Sequence, residues 1–93
     1  MTIGVCEVEL YIPNALSLKD KRRYLQSLIK RLRNNFNASV AEIEYKDKWQ
    51  KTVIGIACIE DGRGKLDTVF SDIINYISRE DSLELIDYSI ELF

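Results

Sequence analysis

The chain has 93 residues, 46% of them hydrophobic and 30% charged, with 13 Lys and Arg against 15 Asp and Glu. That composition describes one globular domain, too apolar to be disordered and too short to enclose a deep active-site cavern. Histidine is absent and only two cysteines occur, which removes the commonest general base and metal ligand and leaves neither a disulfide framework nor a zinc site.

In chain order, "IGVCEVELYI", Ile3 to Ile12, alternates. Cys6, Val8, Leu10 and Ile12 share one side; Glu7, Glu9 and Tyr11 share the other, as in a half-buried strand. The opening residues carry neither the basic region nor the apolar run of a signal peptide. No stretch approaches the roughly 18 apolar residues of a membrane span. The expected setting is the cytoplasm, with no membrane contact and with Cys6 and Cys58 as reduced, buried thiols.

Pro13 breaks the strand, and Ser17 then predicts a helix N-cap with Asp20 three residues on as a carboxylate variant of the capping box. Leu18, Leu25, Leu28, Ile29, Leu32 and Phe36 recur at helical spacing. Asn34, Asn35 and Asn37 mark the exit. Next, "ASVAEIEY" alternates, with Ala41, Ile43 and Tyr45 on one side and Glu42 and Glu44 on the other. A polar "KDKWQ" turn joins it to the apolar strand "KTVIGIACIED", predicting a β-hairpin. "GRGK" follows. Leu66, Val69, Phe70, Ile73, Ile74 and Ile77 define a second amphipathic helix. "LELIDYSIEL" closes the series, with Ile86, Tyr88, Ile90 and Leu92 on one face.

The order βαββαβ, with right-handed crossovers, predicts a ferredoxin-like α+β sandwich. It is a single domain over residues 1–93, with a four-stranded antiparallel sheet in the order 4-1-3-2 and both helices on one face. A simple register with Cys6 opposite Cys58 sets Val5 against Ile59, Glu7 against Ala57, Glu9 against Gly55 and Tyr11 against Val53.

Three stretches together, "SLKDKR", "NNFNASVAEIEYKDKWQ" and "IGIACIED", resemble the YlxP-like family of small bacterial proteins of unknown function. The resemblance covers essentially the whole chain. It implies a ferredoxin-like fold and a bacterial cytosolic protein, encoded among translation and ribosome-maturation genes. It supplies no reaction and no catalytic residues.

Charge is the main functional clue. Ser17 to Phe36 holds seven of the thirteen cations and a single acid, Asp20, while the remaining residues carry six cations against fourteen acids. On a helical wheel Lys19, Arg22, Arg23, Gln26, Lys30 and Arg33 fall within one arc of about 100°. A solvated helix face usually mixes signs to gain pairs at i, i+4. An unrelieved cationic stripe on an otherwise acidic chain points to an anionic partner, RNA or a ribosomal particle first. The expected nucleic-acid contacts are Lys19, Arg22, Arg23, Lys30 and Arg33. Lys21 lies at the edge of the apolar stripe, either snorkelling along the flank or pairing with a carboxylate near the sheet's end.

The sheet face away from the helices carries Glu7, Glu9, Glu42, Glu44, Asp87 and Glu91 around a small apolar centre. A half-apolar face is usually covered, which suggests a homo-oligomer or partner interface built from Val5, Glu7, Glu9, Tyr11, Val53 and Gly55. An RNA-recognition motif shares this topology but binds through aromatic residues on this face; here the acids would repel phosphate. The carboxylates are spread out and no loop wraps them, so no metal site is expected. Trp49 is either a turn aromatic folded over the sheet edge or an exposed contact.

Catalytic signals are absent. "GRGK" lacks the spacing of a nucleotide phosphate loop. An acylphosphatase would need an arginine in "IPNALS", and an ACT-like domain a glycine in that turn. The expectation is a non-catalytic, cofactor-free protein with no small-molecule substrate. Either it associates with RNA or ribosomes through its first helix, or it is an interaction domain with no nucleic-acid role.

Overall fold

The structure, a computed structural model, describes residues 1–93. Its elements run β1 (Thr2–Tyr11), α1 (Leu18–Asn35), β2 (Ser39–Glu44), β3 (Lys51–Glu60), α2 (Arg63–Ser78) and β4 (Glu84–Leu92). The strands form one antiparallel sheet in the order β2-β3-β1-β4. This is the ferredoxin-like arrangement anticipated from the alternation of strand and helix periods.

The core lies between the helices and one sheet face. Cys6, Val8, Leu10, Ile54, Ile56 and Cys58 from the central strands meet Leu25, Leu28 and Leu32 of α1 and Leu66, Phe70, Ile73 and Ile77 of α2. α1 starts where its capping residues direct. Ser17 Oγ accepts from the Asp20 amide at 3.0 Å, and Asp20 Oδ2 accepts from the Leu16 amide at 3.1 Å. One free helix donor, the Asp20 amide, and the Leu16 amide just before the cap are thereby satisfied. At the other end Phe36 packs edge-on against Tyr76, with ring centroids 5.9 Å apart, joining the two helices.

The β1–β3 register differs from the simple expectation by two residues. Cys6 faces Ile56, Gly4 faces Cys58, Glu7 faces Gly55, Glu9 faces Val53 and Tyr11 faces Lys51. Alternation fixes which side of the sheet a residue takes, because a slip of one would invert every side chain. It does not fix an offset of two. Both thiols therefore lie on the helix side as expected, but as diagonal neighbours rather than directly opposed.

Two bulges reassign faces that strict alternation places elsewhere. The β2–β3 ladder shifts between Glu42 and Glu44, and the β1–β4 ladder shifts between Glu9 and Leu10, where Leu85 pairs with Leu10. An extra residue in one strand reverses the parity beyond it. Leu85 therefore packs against the core, while Ile86 moves to the open face beside Tyr11. This corrects the expected grouping of Ile86 with Tyr88, Ile90 and Leu92. In β2, Val40 and Glu42 take the helix side, and Ala41 and Ile43 take the open face. Glu42 is thus not an open-face acid; it pairs with Lys21 beneath α1.

Gly4 is needed for its missing side chain. A Cβ there would lie 2.6 Å from Phe70 Cε2 and 2.8 Å from Leu66 Cδ2, both in fully buried side chains. Gly4→Ala should lower stability by roughly 1–3 kcal/mol through overpacking, read as a fall in the urea midpoint with unchanged slope.

Burial raises the Cys6 thiol to about 11, with help from Cys58 and Glu7, and burial then Glu60 raise Cys58. An acid whose pKa is higher folded than unfolded favours the native state until the unfolded chain begins to ionise. Stability should hold below the ordinary thiol value of 9.0 and decline as pH rises toward about 11. Replacing both cysteines with alanine should remove that part of the alkaline decline in urea titrations run across pH.

Candidate functional site: the basic helix and the open sheet face

The structure sorts the seven α1 cations by what they touch. Lys21 is 1% exposed, its Nζ 2.8 Å from Glu42 Oε2 and 2.5 Å from the Tyr45 carbonyl. Thr52 Oγ1 donates to the same carboxylate oxygen at 2.6 Å. No buried side-chain nitrogen or oxygen lacks a partner. The carboxylate-pairing alternative for Lys21 therefore holds, and the lysine is a tie between α1 and the β2–β3 hairpin.

Arg31 turns to the opposite flank. Its guanidinium bonds the Glu80 carboxylate and Tyr76 Oη, and the Glu80 hydrogen bond raises its pKa further above the ordinary value. Arg33, expected among the free cations, donates to the Val40 carbonyl at 2.5 Å. That bond ties α1 to edge strand β2, and the residue itself stays exposed. Arg23 lies 3.7 Å from Asp20 and over the Tyr24 ring, still largely exposed. Lys19, Arg22 and Lys30 are exposed and pair with no carboxylate. Because Arg33 reaches β2 while Arg31 reaches α2, the free cations run along the β2 side of the helix and its outer surface.

The open face holds the expected interface residues together: Val5, Glu7, Glu9 and Tyr11 on β1, and Val53 and Gly55 on β3. Its two ends differ. Toward the hairpin, Tyr11, Tyr45, Trp49 and Ile86 form the apolar floor of a groove of about 710 Å³, with Glu9, Asp47, Lys48, Gln50 and Lys51 on its walls. Trp49 is 52% exposed and Ile86 53%. Trp49 therefore lies over the hairpin end of the open face beside Tyr11, Tyr45 and Ile86, with about half of its surface reachable by solvent. Farther along, Glu7, Glu9, Glu44 and Asp87 edge a small acidic cleft. Glu9 belongs to both. Its nearest cation is Lys51 at 3.8 Å, and Lys51 also sits 4.3 Å from the Tyr45 ring centroid.

The groove depends on backbone geometry that no sequence pattern announces. Tyr45 has φ 62°, the one non-glycine residue with positive φ. That conformation costs about 1–2 kcal/mol for an L-residue. Two donors meet its carbonyl: Lys21 Nζ, and the Lys48 amide at 3.0 Å. The available clue was Lys21 itself. A lysine four residues before Leu25 on the buried stripe requires an acid across from it, and Glu42 is that acid.

With this geometry in view, the family model described as "Protein of unknown function (DUF503)" matches residues 3–90. The chain belongs to that family. It is also similar to "Uncharacterized protein YlxP" of Bacillus subtilis (strain 168), at 37% identity over 82 residues. That match covers 88% of this chain and 89% of the relative. No helix is long and apolar enough to cross a membrane.

Lys21→Met should cost roughly 3 kcal/mol or more, because it strands the Glu42 carboxylate beneath the helix. Lys21→Met with Glu42→Leu should recover much of the loss. The pair's coupling is the difference between the double and summed single effects in urea titrations.

Proposed function

We propose that this protein is a non-catalytic RNA- or ribosome-associated module of the bacterial cytosol, working through the exposed flank of α1. The observation that carries the reading is that Lys19, Arg22 and Lys30 remain exposed without a carboxylate partner, whereas Lys21 and Arg31 are consumed by the fold. Like charges along one helix flank cost stability unless an outside anion offsets them. The span from Lys19 to Lys30 is about 16 Å at 1.5 Å per residue. Arg22 and Arg23 supply planar donors suited to phosphate oxygens. The acidic open face directs RNA to the helix side.

A second reading has its own observation, the exposed groove at Tyr11, Tyr45, Trp49 and Ile86. On that reading the protein is an interaction or homo-oligomeric domain using the open face or a strand edge, with no nucleic-acid role.

The first reading is tested with Arg22→Glu/Lys30→Glu, both changes lying off the buried stripe. Binding to a structured RNA hairpin and to purified ribosomal subunits is measured by titration across salt concentrations. Removing two phosphate contacts should weaken binding at least tenfold at low salt and flatten the log–log salt slope by about 1.5. Glu91→Lys on the open face is the control and should leave binding in place. Equal binding by parent and double variant at low salt would remove the α1 flank from consideration.

A further inference from the structure

We propose that the open sheet face docks a lysine- or arginine-rich segment of another protein, whose apolar anchor seats between Tyr11, Trp49 and Ile86. The inference rests on the second reading above and names the partner's chemistry. The anchor site is the apolar groove. The charge requirement comes from the cleft that shares Glu9 with it. Glu7, Glu44 and Asp87 edge that cleft and pair with no cation in the chain.

Charge complementarity selects among occupants. A two-fold interface places the same patch on both sides. Two copies meeting through this face would bring one acidic cleft close to the other, with only Lys48 and Lys51 at the hairpin end to offset them. Nucleic acid brings phosphate to the same acids. A cationic protein segment meets both halves of the surface, with its apolar side chain in the groove and its cations along the cleft.

Length selects a segment over a small molecule. From Tyr11 to Glu7 is about 13 Å along β1 at 3.3 Å per residue, and to Val5 about 20 Å. A partner that fills the groove and reaches the acids therefore extends over several residues. Such a face gives specificity chiefly through sign and shape, with the buried anchor supplying most of the affinity.

Trp49 is the only tryptophan in the chain and lines the groove, so its emission reports occupancy. The probe is a short lysine-rich peptide with a central leucine pair. Its counterparts replace the lysines with glutamate, or the leucines with serine. The lysine–leucine peptide should shift Trp49 emission and slow amide exchange in the turn over residues 45–50, and both counterparts should bind weakly. Glu7→Gln/Asp87→Asn should reduce its affinity roughly five- to tenfold. Asp67→Asn/Asp72→Asn, exposed positions on α2, should leave it unchanged, with circular dichroism confirming that both variants fold.

Equal weakening by the α2 pair would show attraction to net charge and overturn the proposal. So would equal binding of the glutamate–leucine peptide, although the face would still be an interaction surface. A protein that sediments as a dimer, with Trp49 emitting as a buried indole that no peptide shifts, would make a second copy the occupant. Silence of Trp49 and of amide exchange with every peptide, in a protein that sediments as a monomer, would overturn both the proposal and the reading beneath it.

Discussion

The ion pair between Lys21 and Glu42 fixes the relation between α1 and the β2–β3 hairpin. An ammonium group that is nearly inaccessible to water is tolerated only when its donors are satisfied. Here one goes to the carboxylate and another to the Tyr45 carbonyl. Thr52 adds a donor to the same carboxylate. The consequences run outward. Glu42 must face the helix, so β2 takes its parity from Val40. The bulge beyond Glu42 then returns Glu44 to the open face. The left-handed turn at Tyr45 brings its ring to the groove beneath Lys51.

The same pair explains why the α1 charge is less concentrated than it looks in sequence. Helical phase alone separates Lys21 and Arg31 from the others, and the fold uses both internally. What remains exposed is a shorter cationic flank next to β2. The acidic open face lies on the opposite side of the sheet from the helices. The protein is thus two-sided, cationic along one helix flank and anionic across the bare sheet, with the core between.

Element order, both helices, their core stripes and the N-cap at Ser17 were legible because each follows a local period or a local capping contact. The sidedness of β1 and β3 was legible for the same reason. β2 departs from its apparent pattern at Glu42 because "SVAEIEY" admits two alternations. Counting apolar residues favours Ala41, Ile43 and Tyr45, whereas the buried lysine on another element demands Glu42. Ile86 departs from strict alternation because a bulge leaves no mark in hydropathy. The β1–β3 offset of two was beyond local pattern altogether. For the candidate surfaces, the cationic arc was visible on a wheel, but Arg33's attachment to Val40 and the gathering of Tyr11, Tyr45, Trp49 and Ile86 depend on tertiary geometry.

Arg33 also changes the topology of possible sheet growth. A four-stranded sheet has two free edges, here β2 and β4. Edge strands recruit further strands through main-chain groups left without partners. On β2 the guanidinium occupies the Val40 carbonyl and a bulge bends the strand. On β4 no side chain from another element bonds the backbone, and Tyr88 and Ile90 lie bare beside it. Any strand added to this sheet would meet bare main chain at β4 and an occupied carbonyl at β2, so the two edges are unequal as templates.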